Sequence, residues 1–281
     1  MLAPVVAPQA VAGLDATHLV LADVRWYLDG RDGRAAFEQS HIAGAVWVDL
    51  DNALAGHDLP ASEGRHPLPA PEAFAAEMGA LGIGDDTIVV AYDDTGGLTA
   101  GRLVVMLRML GRHAAVLDGG LDAWVAAGLP TQTGPATEPS PTTFTPAPWP
   151  LDRLATADEA LAVVAAGGVV IDARPLARFT GEQAVIDPRP GHIPGARSAP
   201  WSAVLSDTGA LLTIDQLTAH YAALGIAHAD TPSVAYCGSG VSACLNIVAM
   251  EHAGLTPPRL YVASWSGWSA DSARPAELGQ P

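Results

Sequence analysis

Cys237 stands in the run Ala235-Tyr236-Cys237-Gly238-Ser239-Gly240-Val241-Ser242-Ala243-Cys244, after the apolar stretch Ser233 to Tyr236 and before a helix-like run, Ala243 to His252. A strand, a tight glycine loop and a helix are expected in that order. In such a loop successive backbone N–H groups turn inward around the sulfur, and the helix N-terminus adds partial positive charge. Both effects favour the thiolate, the form of cysteine that attacks. A cysteine beside a glycine turn is more often a small buried apolar residue, so the weight rests on the surrounding pattern. The loop from Cys237 to Ser242 is six residues long, a cradle better sized for one sulfur than for a phosphate. Phosphoryl chemistry on such a loop needs an arginine six residues beyond the nucleophile to clamp the phosphate oxygens, and that position is Ala243.

Laying the two halves of the chain over each other shows an internal repeat. Val20-Leu21-Ala22-Asp23-Val24-Arg25 matches Val169-Val170-Ile171-Asp172-Ala173-Arg174, and His41-Ile42-Ala43-Gly44-Ala45 matches His192-Ile193-Pro194-Gly195-Ala196. Ile88 to Asp93 then matches Pro232 to Cys237, which puts Asp93 where the second copy has its cysteine. Only the second copy can do thiol chemistry. The Asp23/Arg25 and Asp172/Arg174 pairs and the histidines His41 and His192 occur in both copies, including the one without a nucleophile. Structural roles are expected for them.

The elements that must position Cys237 read as strands alternating with helices, which implies parallel sheets flanked by helices and an α/β fold. Strands are expected over Leu19 to Val24, Ile88 to Tyr92, Ala114 to Leu117, Val169 to Asp172, Ser233 to Tyr236 and Leu260 to Val262. Helices are expected over Pro71 to Leu81, Thr99 to Leu110, Leu121 to Ala127, Thr156 to Ala166, Thr213 to Leu224 and Ser242 to Ala253. In open α/β sheets the ligand lies beyond the carboxyl ends of the strands, where Cys237 falls. With 281 residues and 49% hydrophobic content, two cores of ordinary size are expected. The domains expected are 1–130 without a nucleophile, a linker over 131–150, and 151–281 with Cys237. Pro135, Pro139, Pro141, Pro146, Pro148 and Pro150 make that linker an extended connector.

Composition excludes several classes. A net charge of −16 argues against nucleic acid, whose binding needs clustered Lys and Arg. An anionic substrate would be repelled by that field, so local arginines and backbone N–H groups must attract it. No run approaches the ~18 apolar residues of a membrane span, and the N-terminus shows no basic region followed by an apolar core. A cytoplasmic location is expected. Cys237 and Cys244, if helical, stand about 10 Å apart, too far for a disulfide, so two reduced thiols are expected, Cys244 facing the core. The nine histidines show no spacing that builds a zinc site, and no metal or other cofactor is expected.

The repeat, the Gly191-His192-Ile193-Pro194-Gly195-Ala196 run and the C-terminal Tyr261-Val262-Ala263-Ser264-Trp265-Ser266-Gly267-Trp268 resemble the signatures of tandem-domain rhodaneses, a family of sulfurtransferases. The family carries Gly and Glu where this chain has Ala263 and Gly267. The resemblance implies an inactive N-terminal and an active C-terminal rhodanese-like domain. The loop Cys-Gly-Ser-Gly-Val-Ser resembles that of the mercaptopyruvate sulfurtransferases, with Ser242 in place of their Thr; thiosulfate sulfurtransferases carry Arg and Lys where Gly238 and Ser239 stand. A neutral loop suits a 2-oxo acid thiol, and a cationic loop suits a dianionic donor.

The resemblance further implies that Ser239 relays a hydrogen bond to a histidine and an aspartate of the first domain. His66, in Gly64-Arg65-His66-Pro67, and Asp49 match these, with Asp51 as the alternative to Asp49. Gly238, Gly240, Val241 and Ser242 would cradle the substrate sulfur. Arg178 and Arg189 match the arginines that hold the donor's carboxylate and oxo group, a task that suits a planar, permanently charged fork. The expected activity is transfer of sulfane sulfur from a small anionic donor, 3-mercaptopyruvate by preference, through a Cys237 persulfide to cyanide, a small thiol or thioredoxin. Thiosulfate:cyanide transfer and a non-catalytic sulfur-carrier or binding module are the alternatives.

Overall fold

A computed structural model describes residues 2–279 apart from residues 12, 16, 137, 185 and 229. Its contacts divide the chain into two units. The first comprises residues 1–56, 69–149 and 206–211, and the second residues 57–68, 150–205 and 212–281. The division is therefore not a single cut: the strap 57–68, expected with the N-terminal domain, groups with the second unit.

The first unit runs β1 (Val5–Val6), α1 (Pro8–Val11), β2 (Leu19–Asp23), α2 (Gly33–Gln39), β3 (His41–Ile42), β4 (Val46–Trp47), α3 (Leu50–Ala53), α4 (Pro71–Ala80), β5 (Ile88–Tyr92), α5 (Ala100–Met109), β6 (His113–Leu117), α6 (Gly120–Ala126) and β7 (Thr131–Gln132). Its sheet is parallel, in the order β1-β6-β5-β2-β4. The expected linker is not a free connector. It opens with β7, which pairs antiparallel with β3, and buries Phe144 edge-on against Phe74, centroids 5.6 Å apart. Residue 137 of that stretch lies outside the described residues.

The second unit continues with α7 (Ala157–Ala165), β8 (Val169–Asp172), α8 (Leu176–Thr180), β9 (Arg197–Ser198), α9 (Ile214–Ala223), β10 (Ser233–Tyr236), α10 (Ala243–His252), β11 (Arg259–Leu260) and α11 (Ser264–Ala270). Its parallel sheet runs β11-β10-β8-β9. Strands β8 and β10 are buried throughout and mostly apolar, with Asp172 and Ser233 as their polar members, as a sheet covered on both faces requires. Two helix starts are set by capping boxes, Thr156 with Glu159 and Thr213 with Gln216, each satisfying two otherwise orphaned N–H groups. The core gathers Val170, Val234, Tyr236, Phe179, Trp265 and Trp268.

The repeated ion pairs serve as expected, as internal anchors. Arg174 Nε donates to both oxygens of Asp172 at 3.0 Å, and Nη2 donates to Asp172 Oδ2 at 2.6 Å and to Gly191 O at 2.7 Å. Arg25 repeats this on Asp23, with its Nη2 reaching Ser40 O at 2.7 Å. Each pair thus ties its central strand to the loop that carries His41 or His192. Those histidines stack on Phe37 and Phe179 at 3.7 Å between centroids. They pack; they do not face a substrate. Burial opposes the charge of Arg174, and the adjacent Asp172 carboxylate outweighs it, so its pKa lies above the ordinary arginine value.

Candidate active site

Cys237 is the first residue after β10, and the loop it opens leads into α10. Gly240, at φ +78°, turns its N–H onto the sulfur at 3.1 Å. That left-handed conformation is natural to glycine. The loop's carbonyls face the other way: Cys237 O accepts from Trp265 N and Gly238 O from Ser266 N, both at 2.9 Å. The start of α11 therefore clamps the outside of the loop and leaves donors on its inside. Ser264, at φ +54° and buried, accepts the Cys237 N–H at 3.0 Å, and its hydroxyl lies 4.0 Å from the sulfur. Both cysteines are reduced and buried, and Cys244 Sγ donates to Gly240 O at 3.3 Å. Val241 is buried and Ser242 begins α10 without a side-chain cap bond.

Ser239 and His66 meet. Ser239 Oγ lies 2.8 Å from His66 Nδ1, both residues buried. The strap that brings His66 there is pinned on α11 by close backbone approach. A Cβ on Gly64 would stand 2.4 Å from Ala263 O, and one on Gly267 would stand 2.5 Å from Ser62 O and 2.6 Å from Ala263 Cβ. Arg65 N completes the seam by donating to Ser266 Oγ at 3.1 Å. The two departures from the family signature are thus explained. Ala263 sits at φ −60° and needs no glycine, while position 267 lies against the strap and has no room for a glutamate. Replacing Gly267 by Ala is expected to cost about 1–3 kcal/mol, the range for overpacking, and to lower turnover by lifting His66 from Ser239. Thermal melting and initial rates on the same preparation check this.

Arg178, on α8, lies beside Gly238 of the nucleophile loop, whereas the Arg189 guanidinium is bonded to backbone carbonyls. Arg178 Nη2 donates to Asp187 Oδ2. Arg189 instead closes the C-terminal end of α11: its guanidinium donates to the carbonyls of Ser269, Trp268, Asp271 and Arg274 at 2.9–3.4 Å. A cation there satisfies carbonyls that the helix end leaves orphaned. The residue expected to hold a donor carboxylate is thus bonded through its guanidinium to backbone carbonyls in this structure. Asp49 and Asp51 lie in the first unit. Asp49 caps α3, accepting from Asp51 N, Asn52 N and Asn52 Nδ2, and Asp51 accepts from Trp26 Nε1 at 2.8 Å.

Two residues that sequence reasoning passed over join the site. Arg65 Nη1 donates to Asp187 Oδ1 at 2.8 Å, so Asp187, 2% exposed in its side chain, bridges Arg65 and Arg178. Both lay inside motifs already singled out, Arg65 next to His66 and Asp187 two positions before Arg189. Burial would raise the Asp187 carboxyl, but its hydrogen bonds from Arg178 and Arg65 prevail, and its pKa lies below the ordinary 3.8. A lowered carboxyl contributes stability that is complete above the unfolded value and is lost as pH falls through the folded one. The stability advantage of the wild type over Asp187→Asn is therefore expected in full at neutral pH and to shrink below pH 3.8, as urea midpoints across pH will read.

The matching loop of the first unit is filled by its own residue. Asp93 accepts from Thr95 N, Gly97 N, Thr99 N, Thr99 Oγ1 and Ala100 N at 2.8–3.0 Å. Among the described residues no group of His, Cys, Asp and Glu could hold a metal ion, and no helix is long and apolar enough to cross a membrane.

Comparison with known proteins agrees with this geometry. The rhodanese-like domain family matches residues 6–127 and again 156–271. The chain is 39% identical, over 97% of its length and 97% of the relative's, to a Pseudomonas aeruginosa protein named "Probable 3-mercaptopyruvate sulfurtransferase". It is also 39% identical, over 92% of its length and 90% of the relative's, to a Mycobacterium tuberculosis protein provisionally named a thiosulfate sulfurtransferase. The solved 3-mercaptopyruvate sulfurtransferase of Leishmania major superposes with a TM-score of 0.83 at 33% identity, covering 95% of this chain and 74% of that one. A nucleophile loop present once, a repeat present twice and these matches have one meaning: the chain belongs to the rhodanese family, with two rhodanese-like domains in tandem.

Proposed function

We propose that the protein is a sulfurtransferase that takes sulfane sulfur from 3-mercaptopyruvate and passes it to a thiophile through a persulfide on Cys237. The observation that carries this is the Gly240 N–H on Cys237 Sγ, with the Ser239 hydroxyl on His66 two residues along the same loop. The Cys237 thiolate attacks the donor sulfur; the sulfur–carbon bond breaks and its electron pair leaves as the enolate of pyruvate. The donor thiol's proton passes by way of Ser239 and His66 and ends on the enolate carbon. Inward N–H groups of the Gly238 to Ser242 loop hold the resulting persulfide anion. Cyanide, a small thiol or reduced thioredoxin then attacks the outer sulfur, the S–S bond breaks, and the thiolate returns.

In this reading 1–130 forms the catalytically inactive domain, its loop occupied by Asp93, and 151–281 forms the active domain, joined by 131–150. Asp49 caps α3 and the Arg189 guanidinium is bonded to carbonyls, and this reading assigns neither a step in the transfer. Two reduced thiols fit the reducing cytoplasm as the place of work. The neutral Gly238 and Ser239 favour the 2-oxo acid thiol over thiosulfate. Turnover of the purified chain with each donor in turn tests the choice: a higher kcat/KM with 3-mercaptopyruvate is expected, and a strong thiosulfate preference overturns it.

A further inference from the structure

We propose that Arg65 is the second donor-binding arginine, acting beside Arg178 over Gly238 to receive the donor's carboxylate. This rests on the sulfurtransferase reading above and adds a residue to it. The backbone of Gly238, next to the nucleophile, is where the two guanidiniums converge. A Cβ built there would meet Arg178 Nη2 at 2.9 Å, Arg65 Nη2 at 3.0 Å and Arg178 Nη1 at 3.3 Å. Glycine at 238 therefore leaves open a place that two cations face.

Their donors are incompletely used. Arg65 commits Nη1 to Asp187 Oδ1 and to Ile186 O, and its Nη2, the edge toward Gly238, has no acceptor among the described residues. Arg178 gives Nη2 to Asp187, and its buried Nε has no hydrogen-bond partner. With side chains 33% and 15% exposed, the two arginines are reachable by a small solute. Asp187 holds the like charges together and cancels one of them. Arg174 Nη1 also lies 3.7 Å from Asp187 Oδ2, but Asp172 balances that charge, so three guanidiniums and two carboxylates keep a single positive charge in excess, which matches a monocarboxylate. Arg65 comes from the strap that also carries His66, so one segment supplies a proton relay and a carboxylate anchor. The guanidinium fork suits that anchor because parallel N–H groups match two carboxylate oxygens.

The test is a pair of measurements on the full chain. Arg65→Gln is expected to raise the KM for 3-mercaptopyruvate about tenfold, the scale of one lost charge-assisted contact. Its kcat and the rate at which cyanide discharges a preformed persulfide are expected to stay within about twofold. Arg65→Lys, which keeps the charge and the length but loses the fork, is expected between wild type and Arg65→Gln, and Arg189→Gln is expected to leave the KM unaltered. Binding of pyruvate to Cys237→Ser, with and without Arg65→Gln, gives a readout that needs no turnover. A tenfold loss of affinity there supports Arg65 even if the sulfurtransferase reading fails, which a wild type that gains sulfur from no donor would reveal. The proposal is overturned if Arg65→Gln lowers kcat and shifts its pH profile with KM and pyruvate affinity unchanged, the mark of a residue that only seats His66, or if Arg189→Gln raises the KM.

Discussion

Cys237→Ser is expected to lower sulfur transfer by about 10⁴-fold or more, the scale on which removal of a covalent nucleophile is felt, and to abolish the gain of one sulfur atom seen by intact mass after incubation with donor. The serine hydroxyl is nearly isosteric with the thiol and finds the same Gly240 N–H, so the loop and its clamp on α11 persist. What is lost is the anion. A hydroxyl is not ionised near neutral pH in this setting, and oxygen cannot carry the transferred sulfur as a persulfide. Unchanged melting with no mass gain is the expected pair of results. A variant that still gains a cyanide-dischargeable sulfur would place the chemistry elsewhere and remove the central role of Cys237.

The second large effect is on stability. Arg174→Met is expected to destabilise the second unit by about 3–5 kcal/mol, the cost of breaking a buried ion pair from one side. Asp172 is fully buried and Arg174 nearly so, and among the described residues the arginine is the carboxylate's only guanidinium, held by three hydrogen bonds to its oxygens. Methionine fills much of the volume and leaves the charge uncompensated. Gly191 O loses its donor too, so the loop bearing His192 is released along with the strand. Arg174 also lies 4.9 Å over the ring of Trp265, one of the chain's seven tryptophans, whose summed fluorescence in urea follows the transition. A midpoint within experimental error of the wild type would show that the pair contributes nothing.

Much of the fold was legible because long, apolar runs announce themselves. Ile88 to Tyr92, Val169 to Asp172 and Ser233 to Tyr236 are strands with the expected limits, and the helices at Pro71–Ala80, Ala100–Met109 and Ile214–Ala223 lie within a residue of expectation at each end. The two-residue strands at Val5–Val6, Val46–Trp47 and Arg197–Ser198 are too short to show a period. Helix α11 escaped for a different reason. Its Ser-Trp-Ser-Gly-Trp-Ser composition carries no apolar periodicity, and it is held by what it touches, the carbonyls of Cys237 and Gly238.

At the candidate site, Cys237 stood out by its strand, loop and helix pattern, while Ser239, His66, Arg178 and Arg189 were singled out by the family resemblance. The Arg189 motif is local, while the carbonyls that its guanidinium meets lie some 80 residues away, which the motif does not announce. Arg65 and Asp187 were not singled out for the same reason in reverse: their pairing spans 122 positions, which spacing along the chain does not encode.

Asp93 has a consequence for the loop of the first copy. Its carboxylate fills the hollow behind β5 with hydrogen bonds from every side, as a tethered inhibitor that never dissociates. The strand, the loop and the buried arginine anchor are all retained in that half, with Asp93 in the place of the cysteine. The duplicate is a vault with its contents built into the wall, and its architecture records what the working vault was made to hold: one negative charge, small enough to be ringed by amides.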